Sequence, residues 1–223
     1  FVADASAQAC AAESCGKHVF TYFDGKGRGE AVRIALHASG IPFENSIVDW
    51  GKFQDMKQNT EDYSWKNGLP VLSIDGKHYT QSLAQLRYAG KKAKLYPSDD
   101  LEALRVDEVL DVIQDILTRT PQDADADVKR KKRIEYGSGA MANFFNLLNQ
   151  RAEESTSGWI AGTGEITVAD LALCSLLELI RNGDFDHIET DYVDKWPKVA
   201  ALEKSVSAHQ IVKDYYARQP VGM

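Results

Sequence analysis

Tyr22 closes a short β-branched and aromatic run, HVFTYF at 18–23, and a glycine-rich stretch, DGKGRG at 24–29, follows it directly. A strand-end phenol has two readings. It is an aromatic facing a core, or it is a hydrogen-bond donor, whose hydroxyl favours the charged form of an anion over the neutral one. Arg28, within the glycine-rich stretch, reads on its own as a surface arginine at a helix start. Gln81 and Ser82 stand where a later helical pattern opens. Free backbone amides and the positive end of the helix dipole bind carboxylates at such a place, and Ser82 is equally well read as an N-cap. Asp107, Asp111 and Asp115 repeat at i, i+4 and i+8. Like charges so spaced repel by about 0.2–0.5 kcal/mol per pair, so a compensating group is expected unless the face is simply solvated. Thr167 and Asp170 form an S/T-x-x-D box whose work is capping, not catalysis. The three cysteines, Cys10, Cys15 and Cys174, do not suggest a disulfide scaffold. Cys174 falls inside an apolar helical pattern and reads as a small core residue.

These groups need elements to position them. After the 18–23 strand, Val32, Ala35 and Leu36 repeat at helical spacing and Gly40 stops that helix. Ser46 to Val48 reads as a second strand. VLSI (71–74) and KHYT (77–80) flank Asp75-Gly76, a strong hairpin signal. A helix follows from about Ser82 to Lys92. The order β-α-β, then β-β-α, is thioredoxin-like. Composition shifts at Tyr96-Pro97-Ser98-Asp99-Asp100, read as a linker, and everything beyond is helical. Val106, Val109, Leu110, Ile113 and Leu117 form one apolar stripe; Val168, Leu171, Ala172, Ser175, Leu176 and Leu179 form another. TPQDADAD (120–127) is a turn between two long helices, and the basic run Lys129 to Arg133 reads as a solvated helix face.

The 223 residues carry a formal net charge of −7, with 43% hydrophobic and 26% charged residues, ordinary globular composition. An acidic chain gains nothing from counterion release on DNA, so nucleic acid is a poor partner. No window approaches the roughly 18 apolar residues of a membrane helix. The chain opens on Phe1 and is read as processed or trimmed; the expected location is the cytoplasm, with an organelle as the alternative.

Several motifs stand in register: TYF at 21–23, GRGE at 27–30, LPVL at 69–72, QS at 81–82, GWIAGTGEITVADLAL at 158–173 and KWPKVAALEKSV at 195–206. As a set, over about residues 18–216, they resemble the glutathione transferases. TYF followed by GRGE is most similar to the sigma class. Residues 1–16, rich in Ala and Ser and without a strong period, read as a flexible extension, and the resemblance implies an α/β thioredoxin-like glutathione-binding domain over 17–97 and an all-α domain over 98–223. It implies an enzyme, used in detoxification, that activates glutathione as co-substrate for conjugation to hydrophobic electrophiles, for isomerisation or for peroxide reduction. It also implies a homodimer. A non-catalytic binding or structural protein on the same scaffold is the alternative.

The same resemblance assigns roles. Tyr22 holds the glutathione sulfur and Arg28 adds positive potential beside it. Pro70 is cis and turns the Leu69 backbone towards the cysteinyl backbone. Gln81 and Ser82 take the γ-glutamyl carboxylate, and Asp115 of the other subunit takes the amine. Trp50 and Lys57, or Lys52, reach the glycine end. The family's usual Pro-Phe-Gly before the leucine-proline pair is absent; the longer QNTEDYSWKNG (58–68) stands there. Some members hold a divalent cation between acids of the Asp115 helix, but Gln114 replaces one acid here, so no metal is expected. Candidates for the electrophile side are Phe23, Tyr63 and the helix around Ile113 to Leu117.

In magnitude, one tyrosine suffices. A free thiol has a pKa of about 8.5 and is a few per cent thiolate at neutral pH. A hydrogen bond to a charged group is worth about 1.5–3 kcal/mol, which lowers a thiol by about one to two pKa units.

Overall fold

The β-branched and aromatic run at the start becomes strand β1 (His18–Phe23), one of the two inner members of a four-stranded sheet with order β2-β1-β3-β4. The computed structural model describes residues 16–218; the extension read over 1–16, with Cys10 and Cys15, lies almost wholly outside the described residues. The chain divides into two compact units between Lys94 and Leu95.

In the first unit, β1 runs parallel to β2 (Phe43–Val48) and antiparallel to β3 (Val71–Ile74), which pairs antiparallel with β4 (Lys77–Tyr79). β2 starts three residues earlier than its sequence signal, because Phe43 to Asn45 register against His18 to Phe20 and gain the ladder of a strong neighbour. Asp75 and Gly76 have φ of 50° and 76°, the paired positive values of a type I′ turn, as the Asp-Gly pair implies. Helix α1 (Gly27–Ala38) packs on α4 (Ser82–Ala93). Gly40, at φ 71°, ends α1 in the left-handed conformation that glycine adopts without penalty. Phe20, Leu36, Leu72 and Leu86 fill the core. Between β2 and β3 lie α2 (Trp50–Gln58) and the one-turn α3 (Tyr63–Lys66), formed by the unusual 58–68 stretch.

The second unit is helical throughout its described residues: α5 (Asp100–Thr118), α6 (Ala126–Ser138), α7 (Ala140–Glu154), α8 (Val168–Arg181), a 3-10 turn (Tyr192–Lys195), α9 (Pro197–Ala208) and α10 (Gln210–Arg218). α8 packs against α5 and α9. Its Val168, Leu171, Leu176, Leu177 and Ile180 are buried, and each such side chain contributes about 1.5–3 kcal/mol. The expected capping box is formed: Asp170 accepts from the Thr167 amide at 2.8 Å, and the Thr167 hydroxyl accepts from the Ala169 amide at 3.3 Å. No described helix is long and apolar enough to cross a membrane.

Three expectations are corrected. Cys174 is half-buried rather than core, on the side of α8 that faces Ser207. The basic run is not uniformly solvated: Arg133 is buried and donates to the carbonyls of Pro121 and Asp186, while Lys129 and Lys132 pair with Asp186 and Asp123. Ser82 is not the N-cap of α4. That place belongs to Gln81, which makes no side-chain cap bond.

Candidate active site

β1 delivers Tyr22 to the end of the sheet, and the glycine-rich stretch folds back over its ring. The Arg28 backbone N–H donates to the Tyr22 hydroxyl oxygen at 3.2 Å. Two glycines permit this approach. A Cβ on Gly29 would lie 2.4 Å from Tyr22 Cδ1, and one on Gly27, itself at φ +36°, would lie 2.8 Å from the hydroxyl. Gly25 has open space around it, so the demand falls on the second and third glycines of the stretch.

Burial pushes the Tyr22 hydroxyl above its ordinary value, against the pull of the Arg28 amide and the Arg28 and Arg33 cations. The phenol is therefore protonated at neutral pH. Its oxygen accepts from Arg28, and no described residue accepts its proton. Burial lowers the Arg28 guanidinium, with Tyr22 opposing, yet an arginine remains a cation in a protein.

Sequence reasoning missed Arg33, which holds this corner together. It is 4% exposed. It donates to the carbonyls of Phe23 and Gly25 at 2.9 and 2.7 Å and to Asn45 Oδ1 at 3.1 Å, and it pairs with buried Glu30 at 3.2 Å. Its guanidinium also lies over the rings of Phe20 and Tyr22, at 5.6 and 5.5 Å. An arginine and a glutamate at i, i+3 ordinarily mark a solvated face, so nothing in the spacing separated this buried pair from a surface one.

A groove of about 220 Å³ is lined by Arg28, Leu69, Pro70, Gln81 and Ser82, with Asn67, Gly68 and Thr80 completing its walls. Five of the expected site residues thus come together. The Leu69–Pro70 peptide is cis, and Gln81 has φ of 70°. Ser82 is 8% exposed, and its hydroxyl bonds no described residue. One guanidinium and the first turn of a helix face this space, which suits a carboxylate. The 58–68 stretch forms part of the wall and is latched to β4. Asp62 accepts from His78 Nδ1 at 2.6 Å, and the Ser64 hydroxyl donates to the His78 carbonyl at 3.2 Å. The Trp65 indole nitrogen also approaches Nδ1, at 3.2 Å; one nitrogen cannot both donate and accept, and the shorter, charge-assisted bond to Asp62 takes it.

Trp50 and Lys57 do not line the groove. Trp50, 66% exposed at the start of α2, stacks on Phe23 at 5.9 Å, and Phe23 in turn touches Tyr22 at 5.6 Å. Lys57 and the alternative Lys52 are exposed on α2. Asp115 belongs to α5 in the second unit and pairs with Arg119 at 2.8 Å, while Asp107 accepts from the Tyr96 hydroxyl at 2.9 Å. Asp107 and Asp115 on the acidic face of α5 are thus compensated. Among the described residues no three His, Cys, Asp or Glu side chains gather as metal ligands.

Residues 18–91 match the family model for the N-terminal domain of glutathione S-transferases, and 110–219 match that for the C-terminal domain. A solved glutathione S-transferase of Caenorhabditis elegans is 31% identical, covers 92% of this chain and 100% of its own, and superposes with a TM-score of 0.70. This chain belongs to the glutathione S-transferase family. A glutathione S-transferase of Anopheles gambiae is 26% identical over 206 residues, 90% of this chain and 95% of the relative. The structure of prostaglandin synthase D of Nilaparvata lugens has a TM-score of 0.78 at 27% identity, covering 92% of this chain and all of that one. The glutathione S-transferase fold accounts for the α/β unit followed by the helical one, and the chain is an enzyme of the glutathione transferase type.

Proposed function

We propose that the chain binds glutathione along the Arg28–Leu69–Ser82 groove and holds its sulfur as a thiolate with the Tyr22 hydroxyl. The observation that carries this reading is the phenol itself: protonated, accepting from the Arg28 amide, with its own proton free to donate. That donation stabilises S⁻ over SH, and the thiol proton passes to water. Arg28 adds a second positive source at the same place. The sulfur lone pair then attacks an electrophilic carbon, forming a C–S bond while the leaving group departs with its electron pair.

Along the tripeptide, the Leu69 backbone meets the cysteinyl backbone. Gln81, Ser82 and the first turn of α4 hold the γ-glutamyl carboxylate. The glycyl end lies towards α2, with Trp50 and with Lys57 or Lys52. Asp115 of a second copy meets the γ-glutamyl amine, which makes the working form a homodimer. The sequence TYF…GRGE and the likeness to the Nilaparvata lugens structure support a sigma-like class. That likeness also favours a second use of the thiolate, isomerisation of a prostaglandin endoperoxide.

The test is calorimetric titration with glutathione followed by turnover assays on an aryl halide, an organic peroxide and prostaglandin H₂. Binding with turnover of one or more of these is expected. Binding without any turnover would instead favour a non-catalytic binding protein, and no binding at all would end the reading.

A further inference from the structure

Gln85, one turn into α4, is 2% exposed. Its Nε2 donates to two backbone carbonyls, that of Pro70 at 2.9 Å and that of Tyr79 at 2.8 Å. Both partners can only accept, so the orientation of the amide is fixed by chemistry: nitrogen faces the carbonyls and Oε1 faces away. Oε1 is buried and has no partner among the described residues. Leaving that buried oxygen unsatisfied costs about 1–3 kcal/mol.

The sheet does not need this side chain. β3 and β4 are paired through their own ladder, and Val71, Leu72 and Leu86 fill the core nearby. What the amide adds is a tie between the backbone segments that frame the groove. Pro70 lies on one edge. Tyr79 leads into Thr80 and Gln81 on the other, and the Gln81 carbonyl accepts the Gln85 backbone N–H at 3.1 Å.

We propose that Gln85 is a positioning residue for the tripeptide ligand. It fixes the spacing between the Leu69–Pro70 edge and the Thr80–Ser82 edge, so that glutathione meets a frame already set for its backbone and its γ-glutamyl carboxylate. This rests on the reading of the groove as the glutathione site. The effect belongs to affinity, not to the acidity of the sulfur, because no hydrogen bond joins Gln85 to Tyr22.

The experiment compares wild type with Gln85→Met, which keeps length without donors, and with Gln85→Leu as a second apolar replacement. Glutathione dissociation constant, melting temperature, kcat at saturating glutathione and the pH midpoint of the bound thiolate are measured for each. A dissociation constant raised about tenfold is expected, the order that follows from losing two hydrogen bonds that set the frame. The melting temperature should fall, because the Pro70 and Tyr79 carbonyls lose their shared donor, while kcat and the pH midpoint stay unchanged. Affinity within about twofold of wild type in a variant that folds, whatever its melting temperature, overturns the proposal and leaves Gln85 a structural residue. If wild type itself fails to bind glutathione, the functional reading falls instead. Hydrogen exchange in the ligand-free protein then decides the clamp: faster exchange over 68–81 in the variants sustains it, and unchanged exchange overturns it.

Discussion

The Arg28 amide donates to the Tyr22 hydroxyl oxygen at 3.2 Å. This one bond sets the direction of the phenol. With its acceptor side occupied by backbone, the hydroxyl has its proton to give, and burial keeps that proton in place at neutral pH. A loop with side chains at Gly27 and Gly29 could not come this close.

Gly29→Ala should therefore lose activity with little effect on folding cost elsewhere. The new Cβ meets the Tyr22 ring at 2.4 Å and must displace either the ring or the helix start. Displacement of a reacting group by such an amount costs on the order of 100-fold in turnover. Gly25→Ala, where nothing lies within 4 Å, should keep wild-type turnover. Steady-state kinetics of the two variants side by side checks the pair.

Ser82→Ala removes a hydroxyl that has no partner in the described chain. Glutathione affinity should fall about tenfold or less, as for one hydrogen bond to a carboxylate, while the pH midpoint of the bound thiolate stays put. Titration calorimetry and the thiolate absorbance separate the two effects.

The latch of the 58–68 stretch should be visible in acid. The His78 and Ser64 hydrogen bonds hold the Asp62 carboxyl down to about 2. An acid with a depressed folded pKa contributes stability above its unfolded value, about 3.9, and loses it as pH falls through the folded value. The stability difference between wild type and Asp62→Asn should thus be full at pH 5 and vanish as pH falls from about 4 to about 2. Urea midpoints across that range measure it.

Asp170→Ala should be among the most damaging changes in the second unit. The carboxylate accepts from the Ile160 amide at 2.8 Å, the Thr167 amide at 2.8 Å and the Thr167 hydroxyl at 3.0 Å. Leaving those buried donors unpaired costs about 3 kcal/mol, a fall of about 10 °C in melting temperature. Thermal unfolding followed by circular dichroism tests this.

What was legible in the sequence was what local pattern decides. The Asp75-Gly76 turn, the Thr167–Asp170 box and the strand ending at Tyr22 each follow from neighbours a few residues away. Burial of polar groups was not legible, because it depends on distant elements. Arg33 and Gln85 are residue types that ordinarily face solvent, and only the segments laid against their helices turn each into a tie between backbone carbonyls. Cys174 erred the other way, on a side of α8 that its apolar neighbours seemed to cover. The Asp62–His78 latch joins residues in two elements and leaves no local spacing to read. Gln81 took the cap position from Ser82 because its backbone, at φ 70°, leaves the strand in a conformation that residue type alone does not announce.

The central claim is that the Tyr22 hydroxyl holds the glutathione sulfur as a thiolate. The direct measurement is the ultraviolet thiolate absorbance of bound glutathione against pH, in wild type and in Tyr22→Phe. The account predicts that Tyr22→Phe binds glutathione with near-normal affinity while the midpoint rises by about one to two pH units and turnover at neutral pH falls with it. A midpoint unchanged in Tyr22→Phe would contradict the account.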